Sequence, residues 1–167
     1  AYIDSMNYFD KINHAHAFNG PSGAMDAVES LLNVPVDHFV RVDMNAVVEI
    51  VDAIGGVEFD VPYEMNGLQP GLQHLSGEEA LAVIRNRSID SDLGRGVRQM
   101  DLIEAVFKQA QSFSTLSQVD DLIKIFTSNT SHNFETSNIR SLASYYLFND
   151  VAFENSQLQG TGFTSES

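Results

Sequence analysis

Cysteine is absent from this 167-residue chain. Its absence excludes disulfide bonds, thiol nucleophiles and zinc sites built on cysteine. A chain without cysteine is compatible with a place outside a bacterial membrane, but many cytosolic domains also lack this residue, so its absence does not decide the compartment.

Long apolar runs are also absent. The sequence has no stretch of about 18 apolar residues, so it predicts no transmembrane helix. The first residues, Ala1–Asp4, are neither basic nor apolar enough for a signal peptide. We therefore expect any membrane anchor of the native protein to lie outside this chain.

Basic residues are scarce: 9 Lys and Arg stand against 23 Asp and Glu, for a net charge of -14. A surface of this sign repels nucleic acid, which is bound by neutralising its phosphates. Four of the nine basic residues nevertheless fall within residues 85–98, where the local charge is +2. In an acidic protein such a segment favours a focused site for a small anion. The four residues are Arg85, Arg87, Arg95 and Arg98.

The rest of the composition is typical of a globular protein. Hydrophobic residues make up 43% of the chain and charged residues 19%, which is enough for a real core. The length corresponds to about one domain, and no internal repeat is visible. We predict a single domain over residues 1–155 and a flexible Ser-, Gly- and Thr-rich tail over residues 156–167.

The first half of the chain predicts an α/β order. Residues 1–20 are interpreted as irregular with at most a short strand, and a helix is expected from Pro21 to about Asn33. A strand over residues 38–42 and a helix capped by Asp43 follow, and glycines 55 and 56 end that helix. Alternation over residues 57–61 predicts the next strand. Strand, helix and strand in this order are typical of an α/β crossover.

The second half is predicted to be mainly helical. Residues 62–74 are interpreted as a long loop. Ser76 and Glu79 have the spacing of a capping box, which starts a helix running toward Arg87. A polar loop over residues 88–94 precedes a long helix that ends near Phe113. The remaining predictions are helices over 117–129 and 135–148 and a strand over 151–153.

One stripe of the long helix carries both arginine chemistry and apolar residues. Because its C-terminal part is apolar, we expect it to face the core, so that its polar N-terminal part lies at the rim of the core. An inward arginine beside free backbone amides at a helix start suits phosphate, and Arg85 and Arg87 return across the loop toward the same place. The stripe is Arg95, Gln99, Ile103, Val106 and Ala110.

A structural interpretation of the arginines stays open beside this one. In a chain with 23 acidic residues, four arginines can simply form ion pairs. Asp92 alone is typical of a helix cap or an arginine partner rather than a catalytic base.

Other candidate sites are weaker. His14 and His16 lack a third ligand at zinc spacing, so we expect no metal site there. The adjacent carboxylates at 78–79 and 120–121 are typical of solvated faces or helix starts. The sequence has no glycine-rich nucleotide loop, nucleophile elbow or His-Glu-x-x-His motif.

Several motifs follow one another along the chain at characteristic spacing. They are Lys11-Ile12-Asn13-His14-Ala15, Phe39–Asp43, Val51–Val57, Gly71–Gly77 with Ala80-Leu81, Arg85-x-Arg87, and Asp92-x-x-Arg95-x-x-Arg98-Gln99. In this order and spacing they resemble the LytR-CpsA-Psr family over roughly residues 10–150. The most specific part of the resemblance is the Asp92–Gln99 motif combined with the Gly55-Gly56-Val57 turn.

The resemblance implies an extracytoplasmic Gram-positive protein with a central mixed β-sheet flanked by helices, an α/β fold. It implies binding of a polyprenyl pyrophosphate, with the lipid tail in an apolar tunnel and the head group between arginines. It further implies transfer of teichoic acid, capsular or related glycopolymer to peptidoglycan, by cleavage of a phosphoanhydride bond with help from Mg²⁺.

The resemblance also implies roles for individual residues. Asp92 and Arg95 are the expected catalytic residues, and Asp92 would orient an arginine or assist the acceptor. Asn13 and Arg98 are expected to support the site from behind. The expected pyrophosphate contacts are Lys11, Arg85, Arg87, Arg95 and Gln99.

Two departures from the family stand out. The family's first strands, which carry an acidic pair for Mg²⁺ and a further arginine, would precede Ala1, so the chain resembles the C-terminal two-thirds of a domain. Either the chain is inactive alone, or a second copy completes its sheet. In addition, His16 stands where the family usually has an aromatic residue.

Two other functions stay open. The missing magnesium ligands favour a non-catalytic module that binds the lipid or the polymer. A transcriptional regulator is the third hypothesis, but the charge of -14 and the lack of a basic reading helix argue against it.

Overall fold

A computed structural model of the chain describes residues 2–3, 8–87, 92–112 and 116–149. It confirms an α/β fold in which helices flank antiparallel strands. The predicted strand at 151–153 and the tail at 156–167 lie outside the described residues. The elements are β1 (Tyr2–Ile3), β2 (Tyr8–Phe9), α1 (Ile12–Leu32), β3 (Val40–Val42), α2 (Met44–Ala53), β4 (Val57–Val61), β5 (Gly71–Leu75), α3 (Gly77–Arg85), α4 (Asp92–Gln111), α5 (Leu116–Asn129), β6 (Thr130–His132) and α6 (Thr136–Phe148).

The described strands form three antiparallel pairs: β1 with β2, β3 with β6, and β4 with β5. The predicted crossover is therefore corrected, because β3 and β4 do not pair with each other although α2 joins them. Strand β3 pairs with β6, and β4 pairs with β5, which follows it in the chain after residues 62–70. In the described part of the chain, no parallel pair completes a mixed sheet.

Strand β5 was not predicted, because residues 62–74 were interpreted as a loop. It pairs with β4 in a register that sets Val57 opposite Leu75 and Val61 opposite Gly71. Buried and exposed residues alternate along β4, whereas only Leu75 of β5 is buried. With one apolar anchor and polar neighbours, β5 gives a weak alternation signal in sequence and is held by its partner.

Helix α1 begins earlier than predicted. It consists of two helical segments joined at Asn19 and Gly20, where Gly20 has φ 62°. Pro21 follows this break, so the predicted start at Pro21 is the start of the second segment. The first segment escaped prediction because it is polar and mostly exposed, and Ala15 is its one buried residue.

The predicted boundaries of α2 are confirmed. The Asp43 side chain accepts a hydrogen bond from the Ala46 amide at 2.9 Å, which caps the first turn. Gly55 and Gly56 end the helix with φ values of 85° and 89°. A Cβ at Gly56 would collide with the His74 ring, so this position requires glycine for space as well as for conformation.

The capping box of α3 is also confirmed. The Glu79 carboxylate accepts from the Ser76 amide at 2.9 Å, and the Ser76 hydroxyl oxygen accepts from the Glu79 amide. The backbone and side-chain hydrogen bonds from Ser76 lower the pKa of Glu79. Next to the cap, Gly77 donates to the Asp52 carboxylate at 2.7 Å and lies directly against α2. The start of α3 is therefore fixed to α2.

The main core lies between the β4–β5 hairpin and helices α2, α3 and α4. Burying each of its larger aliphatic side chains contributes about 1.5–3 kcal/mol. This core fixes the positions of α3 and α4, the two helices that carry the arginines. Its buried members are Val51, Ile54, Val57, Phe59, Val61, Met65, Leu75, Ala80, Val83, Ile84 and Leu102.

Candidate functional site

A buried arginine joins the end of α3 to the start of α4. Arg98 is only 3% exposed. Its Nε donates to the Val83 carbonyl oxygen at 3.1 Å, and its Nη2 donates to the Asn86 carbonyl oxygen at 2.6 Å. The Tyr63 hydroxyl accepts from Nη1 at 2.7 Å, and the Tyr63 ring centroid lies 5.9 Å from the guanidinium carbon. Arg98 therefore fixes the residue that separates Arg85 from Arg87.

This contact brings the predicted arginines to one end of the molecule. Arg85 is the last residue of α3, and Asn86 leaves the helix in an extended conformation. Arg95 lies one turn before Arg98 on α4, where side chains three residues apart are neighbours. Arg85 and Arg87 are exposed and Arg95 is partly buried. The segment 85–87 and the first turns of α4 thus share one neighbourhood.

The ion-pair interpretation fits Arg85 and Arg87 poorly. Within the described ranges, neither guanidinium has a carboxylate oxygen within 4.0 Å. Arg140, by contrast, pairs with Asp120, and Lys124 pairs with Asp121 at 3.2 Å. The acidic pair at 120–121 therefore serves surface ion pairs.

Asp92 is the first residue of α4, not a residue ahead of it. Its side chain lies outside what the structure describes. The free amides of this first turn carry the positive end of the helix dipole, which adds to the charge of the arginines.

The apolar half of the stripe on α4 lines a cavity beside the core, and Val106 also packs against the core, so the predicted orientation is corrected in part. Gln99 is exposed, and Ile103 is 54% exposed. The core-facing side is turned about 100° away, the rotation of one residue, and it carries Arg98 and Leu102. The periodicity identified one continuous face but could not tell a packed core from an open apolar cavity.

The cavity has a volume of about 400 Å³ and an almost wholly apolar lining. From α4 it takes Ile103, Val106, Phe107 and Ala110, so the apolar half of the predicted stripe lines it. Helix α2, strand β3 and helices α5 and α6 supply most of the other walls. These include Val40, Ile50, Ile54, Leu122, Ile123, Ile125, Phe126, Phe134, Ile139, Leu142, Ala143 and Tyr146.

The polar half of the same stripe leads away from this cavity. Gln99 is one turn before Ile103, about 6 Å along the axis, and Arg95 is two turns before it, about 12 Å. One helix face therefore runs from apolar lining to guanidinium chemistry. Such a face fits a ligand with a long apolar tail and a compact anionic head.

Lys11 and Asn13 belong to a separate element. Both are exposed at the start of α1, which packs on β1. Here the Asp10 carboxylate accepts from the Lys11 amide at 2.7 Å and contacts His14 Nδ1 at 2.8 Å. The hydrogen bond with His14 is the main cause that lowers the pKa of Asp10. The predicted contact of Lys11 with a phosphate stays a prediction.

A second groove, of about 450 Å³, lies between α1 and residues 36–42. Its lining is more polar than that of the cavity and includes His16, His38 and Arg41. His16 is exposed, and the part of the chain that the structure describes holds no group of three or more His, Asp or Glu side chains suited to a metal. The described residues thus do not by themselves fit a magnesium site.

Sequence reasoning missed Tyr63 and the cavity walls from α5 and α6. Tyr63 follows the proline that ends β4, in a segment without periodicity, so no pattern linked it to Arg98. The apolar residues of α5 and α6 have the ordinary spacing of core-facing helices, which does not distinguish a cavity wall.

Comparison with known proteins gives a consistent result. The model of the LytR_cpsA_psr family matches residues 2–167. An uncharacterised protein of Staphylococcus aureus is 47% identical over 96% of this chain and 42% of its own length. A polyisoprenyl-teichoic acid–peptidoglycan teichoic acid transferase, TagU of Bacillus subtilis, is 34% identical over 92% of this chain and 52% of its own length. The chain thus spans about half the length of these relatives.

Solved structures agree with the sequence relatives. The crystal structure of Bacillus subtilis TagV has a TM-score of 0.78 at 28% identity, covering 86% of this chain and 59% of TagV. The structure of TagT bound to LI-WTA has a TM-score of 0.72 at 29% identity, covering 89% of this chain and 59% of TagT.

Proposed function

Because the chain belongs to the LytR-CpsA-Psr family, we propose that its protein transfers a glycopolymer from a polyprenyl-pyrophosphate carrier to peptidoglycan. The observation that carries this proposal is the single face of α4, which runs from the lining of an apolar cavity to Arg95, near the end of α3 that carries Arg85. Relatives named as teichoic acid transferases support the reaction class. Teichoic acid, capsule and related polymers are all candidate cargo.

The proposed reaction is a displacement at phosphorus. An acceptor hydroxyl on peptidoglycan attacks the phosphate that carries the polymer, forms a new P–O bond and gives up its proton to Asp92 or to water. The phosphoanhydride P–O bond breaks, and polyprenyl phosphate leaves with the bonding electron pair. Negative charge builds up on the departing phosphate, and fixed guanidinium groups stabilise that charge more than they stabilise the bound substrate.

We assign the head-group contacts to Arg85, Arg87, Arg95 and Gln99, with Lys11 as a further phosphate contact. Arg95 is the proposed catalytic arginine because it lies on the cavity face beside the first-turn amides of α4. Asp92 is proposed to orient an arginine or to assist the acceptor hydroxyl. Asn13 is proposed to support the site from α1.

A magnesium ion remains part of the proposal only for the whole protein. The described residues hold no cluster of carboxylates and histidines that suits a metal, so ligands for Mg²⁺ would have to come from elsewhere. The arginines are proposed to bind and orient the two phosphates. These roles do not require a side chain that coordinates Mg²⁺ in the described part of the chain.

The proposed partners follow from the same chemistry. They are a polyprenyl-pyrophosphate-linked polymer, a peptidoglycan acceptor and the outer surface of the membrane that supplies the lipid. No helix in the described ranges is long and apolar enough to cross a bilayer. TagT structures bound to LI-WTA and LIIa-WTA support a lipid-linked polymer as the ligand.

The test compares wild-type protein with Arg95→Ala in two assays. Wild type should bind a prenyl pyrophosphate and, with Mg²⁺ and a peptidoglycan acceptor, release polyprenyl phosphate. Arg95→Ala should abolish transfer and weaken prenyl-pyrophosphate binding by about 10-fold or more, since charged hydrogen bonds contribute about 1.5–3 kcal/mol each. Unchanged binding in Arg95→Ala would contradict the proposed site.

A non-catalytic binding module is the second candidate, and the lack of a metal cluster in the described residues favours it. The same assays separate the two functions. Tight prenyl-pyrophosphate binding without release of polyprenyl phosphate, in the whole protein with Mg²⁺, would support the binding module and contradict the transferase.

A further inference from the structure

Arg98 is a buried charged residue, and Tyr63 is one of its hydrogen-bond acceptors. Arg98 is 3% exposed, although a buried charge is costly unless its hydrogen bonds are satisfied. Two of its three described acceptors are backbone carbonyls at the end of α3, and the third is the Tyr63 hydroxyl at 2.7 Å. The guanidinium thus connects three separate segments: the loop after β4, the end of α3 and the second turn of α4.

The place of these contacts matters more than their number. The Asn86 carbonyl, which accepts from Arg98 at 2.6 Å, belongs to the one residue between Arg85 and Arg87. The α-carbons of both neighbours lie about 3.8 Å from that of Asn86. Asn86 has left α3, and its amide keeps one long hydrogen bond to the Val83 carbonyl oxygen, at 3.4 Å. Arg98 adds a second, shorter hydrogen bond at the Asn86 carbonyl oxygen.

The Tyr63 hydroxyl in turn holds the guanidinium in place. It accepts from Nη1 while the Tyr63 ring lies 5.9 Å from the guanidinium carbon, a favourable distance for a cation and an aromatic face. With Nε held by the Val83 carbonyl oxygen and Nη1 held by Tyr63, Nη2 points at Asn86, because the guanidinium group is planar and rigid. Tyr63 therefore supplies the one side-chain acceptor among the described contacts that set the direction of the hydrogen bond to Asn86.

We propose that Tyr63 and Arg98 form a positioning pair, which holds Arg85 and Arg87 beside the start of α4 in the arrangement that grips a diphosphate. This inference rests on the proposed function of the arginines. Neither member of the pair needs to touch the ligand. Their effect is to fix the backbone that carries two exposed side chains before the ligand arrives, so that less conformational entropy is lost on binding.

The variant Tyr63→Phe tests this pair with the smallest change, because it removes the hydroxyl acceptor and keeps the ring. The probe is inorganic pyrophosphate, and its affinity is measured by calorimetry. One hydrogen bond contributes about 1 kcal/mol, so we expect about a 5-fold loss of pyrophosphate affinity. Arg98→Lys, which keeps the charge but loses the rigid fork, should lose more.

A double-mutant cycle separates positioning from a general loss of stability. Arg87→Ala should weaken pyrophosphate binding strongly in the wild-type background and much less in the Tyr63→Phe background. The matched control is Ser76→Ala, which loosens the opposite end of the same helix. In that background, Arg87→Ala should have its full effect.

The outcomes distinguish this inference from the proposed function. If wild type binds pyrophosphate and the effects of Arg87→Ala and Tyr63→Phe simply add, the positioning pair is refuted while the arginine site stands. If wild type binds no pyrophosphate, both are refuted. If Arg98→Lys does not fold, the cycle with Tyr63→Phe still decides.

Discussion

Two neighbouring faces of α4 differ in how deeply their side chains are buried. The core face carries Arg98 and Leu102, both of them buried, and fixes the helix to α3 and to the β4–β5 hairpin. The cavity face carries Arg95 and Ile103 and is partly open to solvent. One face of α4 therefore packs in the core and stabilises the fold, while the other is available to bind a ligand.

The largest expected effect separates the faces at two adjacent residues. Leu102 is 5% exposed and Ile103 is 54% exposed. Leu102→Ala should lower the free energy of unfolding by about 3 kcal/mol, because it opens a cavity in the core. Ile103→Ala should change it by less than about 0.5 kcal/mol but weaken prenyl-pyrophosphate binding. Urea denaturation of both variants checks the contrast, and equal losses would remove the distinction between the faces.

The next effect sharpens the description of the cavity face. Ala110→Phe should fill part of the apolar space and weaken binding of a prenyl pyrophosphate by about 10-fold, since each displaced methylene contributes about 0.8 kcal/mol. Affinity for inorganic pyrophosphate should stay the same. Calorimetry with both ligands measures the difference. A parallel loss of both affinities would mean that the variant disturbs the head-group site as well.

A smaller effect concerns α3, the helix against which the core face of α4 packs. Glu79 has a lowered pKa in the folded protein because it accepts hydrogen bonds from Ser76. Its contribution is therefore present above the unfolded pKa, near 4.5, and is lost as pH falls through the folded pKa. Glu79→Gln should cost about 0.5 kcal/mol at pH 7, given solvent screening, and almost nothing in strong acid. Thermal unfolding across this pH range measures it, and a cost independent of pH would contradict the assignment.

The smallest effect lies on α4 itself. Burial, and then repulsion from Glu104, raises the pKa of Asp101 above its usual 3.8. Ionised Asp101 therefore opposes folding, and stability relative to a neutral variant is lost as pH rises through the folded pKa. Asp101→Asn should stabilise the protein by about 0.3 kcal/mol at pH 7 and by nothing below pH 3.8. Chemical denaturation at both pH values decides whether the sign is right.

The sequence predicted the helix ends that are determined by residues at the ends themselves. Asp43, the glycines at 55 and 56, and the Ser76–Glu79 box each determine a helix end by their own backbone chemistry. Strand β5 and the first segment of α1 were missed because partners elsewhere in the chain hold them. The α4 stripe was identified as a face, but only the packed structure shows that its neighbour, carrying Arg98, is the core side.

The candidate site shows the same division. From the sequence alone, the positive charge could be located in residues 85–98, and Arg95 could be placed on the same helix face as Ile103, Val106 and Ala110. It could not supply Tyr63, whose role depends on a contact with a residue 35 positions away. Long-range contacts of this kind leave no periodic trace, which is why the support of the site was harder to predict than its charge.

The proposed binding mode places one amphiphilic ligand along the cavity face of α4. Methyl-resolved NMR of the protein with a short prenyl pyrophosphate can locate the ligand on this face. We expect magnetisation transfer from the prenyl chain to the methyl groups of Ile103 and Ala110, together with ligand-induced shifts of the Arg95 side-chain signals. Transfer only to residues of the groove beside α1, such as Val28 and Val36, with Arg95 unperturbed, would contradict it.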